Sequence, residues 1–159
     1  MSLNLTMLAG LVAGTLGLAA MGAQALDARH GDLQIEHPWS RATPAGAPVA
    51  GGYLVVRNHG SEADRLVGGE AAFAGRIEIH EMAMQDGVMR MRALPDGLEI
   101  PAGGQVELQP GGYHVMFMQL REPLAEGELR PVTLVFEQAG PIEVPFRIEA
   151  MGATRTHRH

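Results

Sequence analysis

The sequence predicts an all-β protein, an antiparallel sandwich or barrel, on three observations. After residue 30 the apolar residues recur mostly at alternate positions, the period of a strand with one buried face. Segments rich in Pro and Gly interrupt the chain at short intervals and leave little room for helices. The 159 residues, 46% of them hydrophobic, suffice for one domain with a core but not comfortably for two. Many short strands in such a chain bury their apolar faces most readily as a sandwich or barrel.

Residues 33–36 are the first expected strand, with Leu33 and Ile35 alternating against Gln34 and Glu36. Residues 52–57 and 63–67 follow, and the segment 68–74 (GGEAAFA) reads as a short helical turn. The next strands are 76–81, with Ile77 and Ile79 at alternate positions, and 88–92. Pro95-Asp96-Gly97 and Pro101-Ala102-Gly103-Gly104 then mark turns before a strand at 105–108. Pro110-Gly111-Gly112 leads into 113–120, where Tyr113, Val115 and Phe117 take the core face. In that strand Gln119 has core parity and Leu120 the outer one, so the strand stops or bulges there. Strands at 132–137 and 142–148 flank Gly140-Pro141. No internal repeat is visible.

Residues 7–21 (MLAGLVAGTLGLAAM) form an apolar run without a charge, followed by Ala23-Gln24-Ala25. Small residues at both ends of that triplet match a signal-peptidase site, with cleavage after Ala25. The run falls short of the about 20 residues that span hydrocarbon, so a removed export signal is favoured over a retained membrane anchor. The domain assignment is a signal peptide at 1–25, a β-domain at 26–151 and a tail at 152–159 without hydrophobic pattern. A formal net charge of −6 argues against nucleic acid, which needs a basic field. The chain has no cysteine, so neither disulfides nor thiolate ligands are available to an exported domain.

Methionine is the unusual component. Seven of the ten lie between Met82 and Met151, six of them in two clusters that each accompany a histidine. The first is His80-Glu81-Met82-Ala83-Met84 with Met89-Arg90-Met91; the second is His114-Val115-Met116-Phe117-Met118. Strand parity turns His80 and Met82 away from the core residues Ile77 and Ile79. It turns His114, Met116 and Met118 away from Val115 and Phe117. Pairing of the two segments would gather His80, Met91, His114 and Met116 around one point. Neutral, soft thioethers prefer Cu(I) over zinc, magnesium or calcium, imidazole serves either copper state, and Glu81 could offset the ion's charge. Met84, Met89, Met118 and Met151 read as core fillers, and His30, His37 and His59 as hydrogen-bonded histidines. Hydrolytic chemistry is disfavoured, because neither a cysteine nor an HExxH pattern is present.

The arrangement of His80, ten residues, Met91, twenty-two residues, then His114-Val115-Met116 resembles the motif of the periplasmic copper chaperone PCu(A)C family. The flanking segments from His37, His80 and Leu98 carry the likeness across roughly residues 31–150. The resemblance implies a Greek-key, cupredoxin-like β-sandwich that binds Cu(I) through His80, Met91, His114 and Met116, and it implies no enzymatic activity. It also implies delivery to the Cu(A) centre of cytochrome c oxidase subunit II, directly or alongside a Sco-type protein, in the periplasm. Met82 and Met118 are candidate accessory residues. His157 and His159 are a short version of the family's His-rich extension and a candidate Cu(II) site. An electron-transfer copper site is excluded, since it needs a cysteine thiolate. The alternatives are a copper-storage or detoxification protein, or a β-sandwich interaction module whose methionines only fill space.

Overall fold

Alternating apolar residues fold into eleven strands, with no helix among the described residues. The structure is a computed structural model that describes residues 27–154. The expected signal peptide, the cleavage position and the tail histidines His157 and His159 lie outside the described residues. In chain order the strands are β1 (Ala28–His30), β2 (Leu33–Arg41), β3 (Val49–Asn58), β4 (Asp64–Glu70), β5 (Ala74–Gln85) and β6 (Val88–Ala93). They continue as β7 (Leu98–Ile100), β8 (Gln105–Leu108), β9 (His114–Leu120), β10 (Leu129–Phe136) and β11 (Gly140–Glu149). All nine expected strands form. β1 and β7, three residues each, are too short to carry a readable alternation. The expected helical turn at 68–74 is not there: Gly68 to Glu70 extend β4, and a tight turn closed by Ala74 N–H donating to Ala71 O joins it to β5. Pairing of Gly68 and Gly69 with Val135 and Leu134 of β10 outweighs the weak helical preference of GGEAAFA.

Hydrogen bonds link the strands in the order β6-β5-β9-β3-β2-β11-β10-β4-β7, with β1 on β2 and β8 on β3. Every pairing is antiparallel among the described residues except β11 with β2. The path folds over so that Ile77, Ile79, Val115 and Phe117 meet Val132, Leu134, Phe136, Ile142, Val144 and Phe146 in one buried cluster. Phe117 stands at its centre, edge-on to Phe73 at 5.1 Å and to Phe146 at 5.6 Å. A Cβ on Gly52 of β3 would lie 2.8 Å from Phe117 and 2.9 Å from Phe146, so the two rings occupy the space a side chain would need.

Left-handed non-glycine residues mark β2, β9 and the β5–β6 turn. At His37 (φ 50°) a bulge in β2 shifts the register with β3, so Trp39 joins Tyr53 outside the main core, ring centroids 4.7 Å apart. Gln119 (φ 53°) lies where the alternation of β9 fades, but the register with β5 is unshifted from Phe117 to Leu120, so the strand ends there without the bulge. The β5–β6 hairpin closes through Asp86 (φ 51°) and Gly87 (φ 77°), the two left-handed residues of a type I′ turn.

Gly52→Val should destabilise the fold by about 1–3 kcal/mol, because both phenylalanines must leave their rotamers. Urea unfolding of the two proteins measures the difference, and an unchanged midpoint would show that the rings do not depend on the glycine.

Candidate metal centre

The site lies on the outer face of β6, β5 and β9, and strand register composes it. His80 of β5 pairs with His114 of β9, and Glu78 pairs with Met116. On the other side of β5, Met82 pairs with Met91 and His80 with Ala93 of β6. In antiparallel strands, directly paired residues project from the same face. His80, Met82, Met91, His114 and Met116 therefore share one face, and Met91 is the diagonal neighbour of His80, within reach of a long side chain. The small Ala93 opposite His80 leaves that approach open. The imidazole centroids are 5.5 Å apart.

Hydrogen bonds fix which nitrogen of each ring is free. His80 Nε2 lies 2.7 Å from a Glu78 carboxylate oxygen, and His114 Nδ1 lies 3.2 Å from the Gly112 carbonyl. Both oxygens only accept, so in the neutral rings these nitrogens carry the protons and donate. The lone pairs are left on His80 Nδ1 and His114 Nε2. Both atoms are buried without a hydrogen-bond partner among the described residues. Buried polar atoms are paired in the large majority of cases, and an orphan calls for a ligand. Two such atoms, on facing histidines beside two thioethers, form a donor set for a soft ion. Among the described residues no three His, Asp or Glu side chains come together as a metal site, so a hard, oxygen-rich centre is not offered.

Burial and charge vary across the set. His80, His114 and Met116 are 8%, 5% and 7% exposed, whereas Met91 is 51% exposed. Burial holds the His114 pKa below the ordinary imidazole value, opposed by its bond to Gly112 and aided by the charge of His80. The hydrogen bond from His80 lowers the Glu78 pKa against the opposing effect of burial, with help from Arg76, which is ion-paired to it. Glu78 is thus an anion that touches the first histidine, the arrangement that orients ligating imidazoles in metal sites.

The structure revises several expectations. Glu81 sits on the opposite face of β5, where Arg92 Nε donates to it at 2.9 Å, so Glu78 is the site's carboxylate. The signal for Glu78 was its place two residues before His80, on the same strand face. Tyr113 precedes β9 and is 36% exposed, leaving Val115 and Phe117 as the buried residues behind the ligand strand. The face bearing His114 and Met116 is itself buried, a feature that alternation within one strand does not reveal. Met82 adjoins Met91, whereas Met118 pairs with Arg76, beyond Met116 from the histidines. Met84, Met89 and Met151 are exposed rather than core fillers. His59 keeps the bland role expected of it, its Nε2 lying 2.8 Å from Gln34 Oε1.

A family model described as "Putative lipoprotein LpqE-like" matches residues 33–148. A protein of Leifsonia xyli subsp. xyli, "Putative lipoprotein Lxx21020", is 31% identical over 161 residues, spanning 98% of this chain and 95% of its own. The chain belongs to the LpqE-like family. Solved structures similar to this LpqE-like chain are PCuAC domains, the same type of family that the His80, Met91 and His114-Val115-Met116 spacing resembles. The copper-bound PCuAC domain from PmoF2 is 30% identical with a TM-score of 0.66, covering 78% of this chain and 97% of its own. The apo PCuAC domain from PmoF1 has the same identity and TM-score, covering 78% and 98%. The solution structure of CuI-DR1885 from Deinococcus radiodurans is 27% identical with a TM-score of 0.61, covering 85% and 87%. The cupredoxin-like β-sandwich expected of the LpqE-like chain is the fold it shares with them.

In the metal-free protein above the imidazole titration range, long-range 15N–1H NMR should show His80 protonated at Nε2 and His114 at Nδ1. Glu78→Leu should release the preference of His80 alone. A mixture of tautomers at both rings in the parent would remove the preformed donor pair.

Proposed function

We propose that the protein is a periplasmic copper chaperone that holds Cu(I) through His80 Nδ1, His114 Nε2 and the thioethers of Met91 and Met116. The observation that carries this reading is the pair of buried, unpartnered imidazole nitrogens on one face with those two methionines. Copper in two of the similar domains supports it. A neutral four-donor set keeps the ion's single positive charge, which the Glu78 carboxylate offsets through His80. No cysteine is present to form a disulfide when the site is empty in an oxidising compartment.

Release proceeds by ligand exchange. Met91, half exposed on an edge strand, is the donor an acceptor reaches first, while the buried His114 and Met116 let go last. An acceptor with thiolates, such as the Cu(A) site of cytochrome c oxidase subunit II or a Sco-type protein, binds Cu(I) more strongly than thioethers do and draws it away. Loss of the ion leaves a folded protein ready for reloading, so the cycle needs no covalent chemistry and the protein is no enzyme. The relatives' description as lipoproteins supports an exported, envelope-associated protein. Export rests on the apolar run at 7–21, and the Cu(II) role of His157 and His159 rests on sequence alone.

Anaerobic competition titration should find one tightly held Cu(I), abolished in a Met91→Ala, Met116→Ala variant that still folds. Glu78→Leu should weaken it by about 10–100-fold, the usual effect of removing a partner of a ligating histidine. Undiminished affinity in the double variant would defeat the assignment. Transfer to an apo Cu(A) domain separates delivery from storage: a storage protein would retain its copper.

A further inference from the structure

The methionines do not end at the four-donor centre. Beyond His80 and His114, β5 and β6 leave β9 behind and continue as a two-stranded ribbon, with Met82 paired to Met91 and Met84 paired to Met89. The pairing of β5 with β9 closes at Met82, whose N–H donates to Gly112 O at 3.2 Å. All four thioethers project from the face that carries the histidines. Arg90, Arg92 and Glu81 occupy the other face, so no cation of the ribbon competes on the methionine side. Met84 and Met89 are 66% and 47% exposed. An exposed ribbon gains little from unbranched side chains as strand formers or core fillers.

We propose that this hairpin carries a second Cu(I) site made of thioethers alone, with Met84 and Met89 as its principal donors and Met82 completing it. The inference rests on the Cu(I) reading of the histidine centre and extends it. Directly paired residues on one face have Cβ atoms about 4.5–5.5 Å apart, and each methionine adds two flexible bonds before its sulfur, so both sulfurs reach one ion. The next pair along the ribbon is two residues away, about 7 Å at the rise of a strand, and Met82 stands between the two centres. Three neutral sulfurs without imidazole bind more weakly than the mixed set. The hairpin site therefore fills second and empties first. It places a loosely held ion at an exposed tip, while the tight site stays beside the buried histidines.

A docking patch is the competing use of the same residues, and it asks only for apolar surface. Leucine supplies that surface without sulfur, at nearly the same volume, so Met84→Leu, Met89→Leu separates the two. The protein, its tail altered by His157→Ala, His159→Ala, is titrated anaerobically with Cu(I) against competitors of graded strength. X-ray absorption follows the copper–sulfur shell. Two equivalents are expected, the second with sulfur-only coordination. In the leucine variant the second equivalent should be lost and the first retained at unchanged affinity, which also shows that the hairpin variant folds. A single equivalent in the parent, or a second that survives the leucine substitutions, overturns the hairpin site and leaves the chaperone reading standing. No tightly held Cu(I) in the parent overturns both.

Discussion

The register between β5 and β9 is the constraint on which the site depends, because it alone sets His80 opposite His114. The two histidines lie 34 positions apart in the sequence, and nothing local holds them at a ring separation of 5.5 Å. Ile77 and Ile79 face inward from one strand, Val115 and Phe117 from the other, and all four are packed in the common core. A slip of one residue would turn each of them out of the core and carry the histidines inward. Core packing thus enforces the alignment of the polar side chains on the reverse face. Gly52 extends this control to β3 by giving Phe117 the room to lie against Phe146.

Burial of the histidine pair has an energetic consequence. An unsatisfied buried polar atom costs about 1–3 kcal/mol, and the empty centre holds one on each ring. The protein keeps this arrangement because each ring's other nitrogen is anchored, His80 by Glu78 and His114 by the Gly112 carbonyl. Preorganised imidazoles need no reorientation when an ion arrives. An ion that binds only the folded form adds to its stability by mass action, so loading and folding support each other. The two anchors differ in kind: one is an anion, Glu78, and the other a backbone dipole set by the turn before β9.

Exposure rises along the methionine face from Met116, which is buried, through Met82 to Met91, Met84 and Met89. That gradient follows from topology. β9 is covered by neighbours on both sides, β5 by one for part of its length, and β6 is an edge strand. The type I′ turn at Asp86-Gly87 carries the ribbon past the sheet and brings Met84 and Met89 face to face. Exchange of a soft ion with another protein needs donors that can be reached, and the edge of the sheet is where this fold offers them.

Strand content, the branched and aromatic core positions within strands, and the donor types were legible without the fold. Alternation at Leu33 and Ile35, Ile77 and Ile79, or Val115 and Phe117 is a local property with a period of two, and it survives without knowledge of the partner strand. The two His-X-Met segments and the absence of cysteine also stand in the sequence, so the soft, thiol-free donor set was legible there. What alternation could not supply was the neighbour of each strand. Alternation itself put Glu78 on the face of His80 and Glu81 on the other. The contact of Glu78 with His80 Nε2 at 2.7 Å, however, is a matter of side-chain packing that the strand pattern does not carry. Only the packing decided that His114 and Met116 are buried on their outer face and that Met84 and Met89 are not. Burial of a face depends on strands distant in the chain, whereas alternation depends on the strand alone.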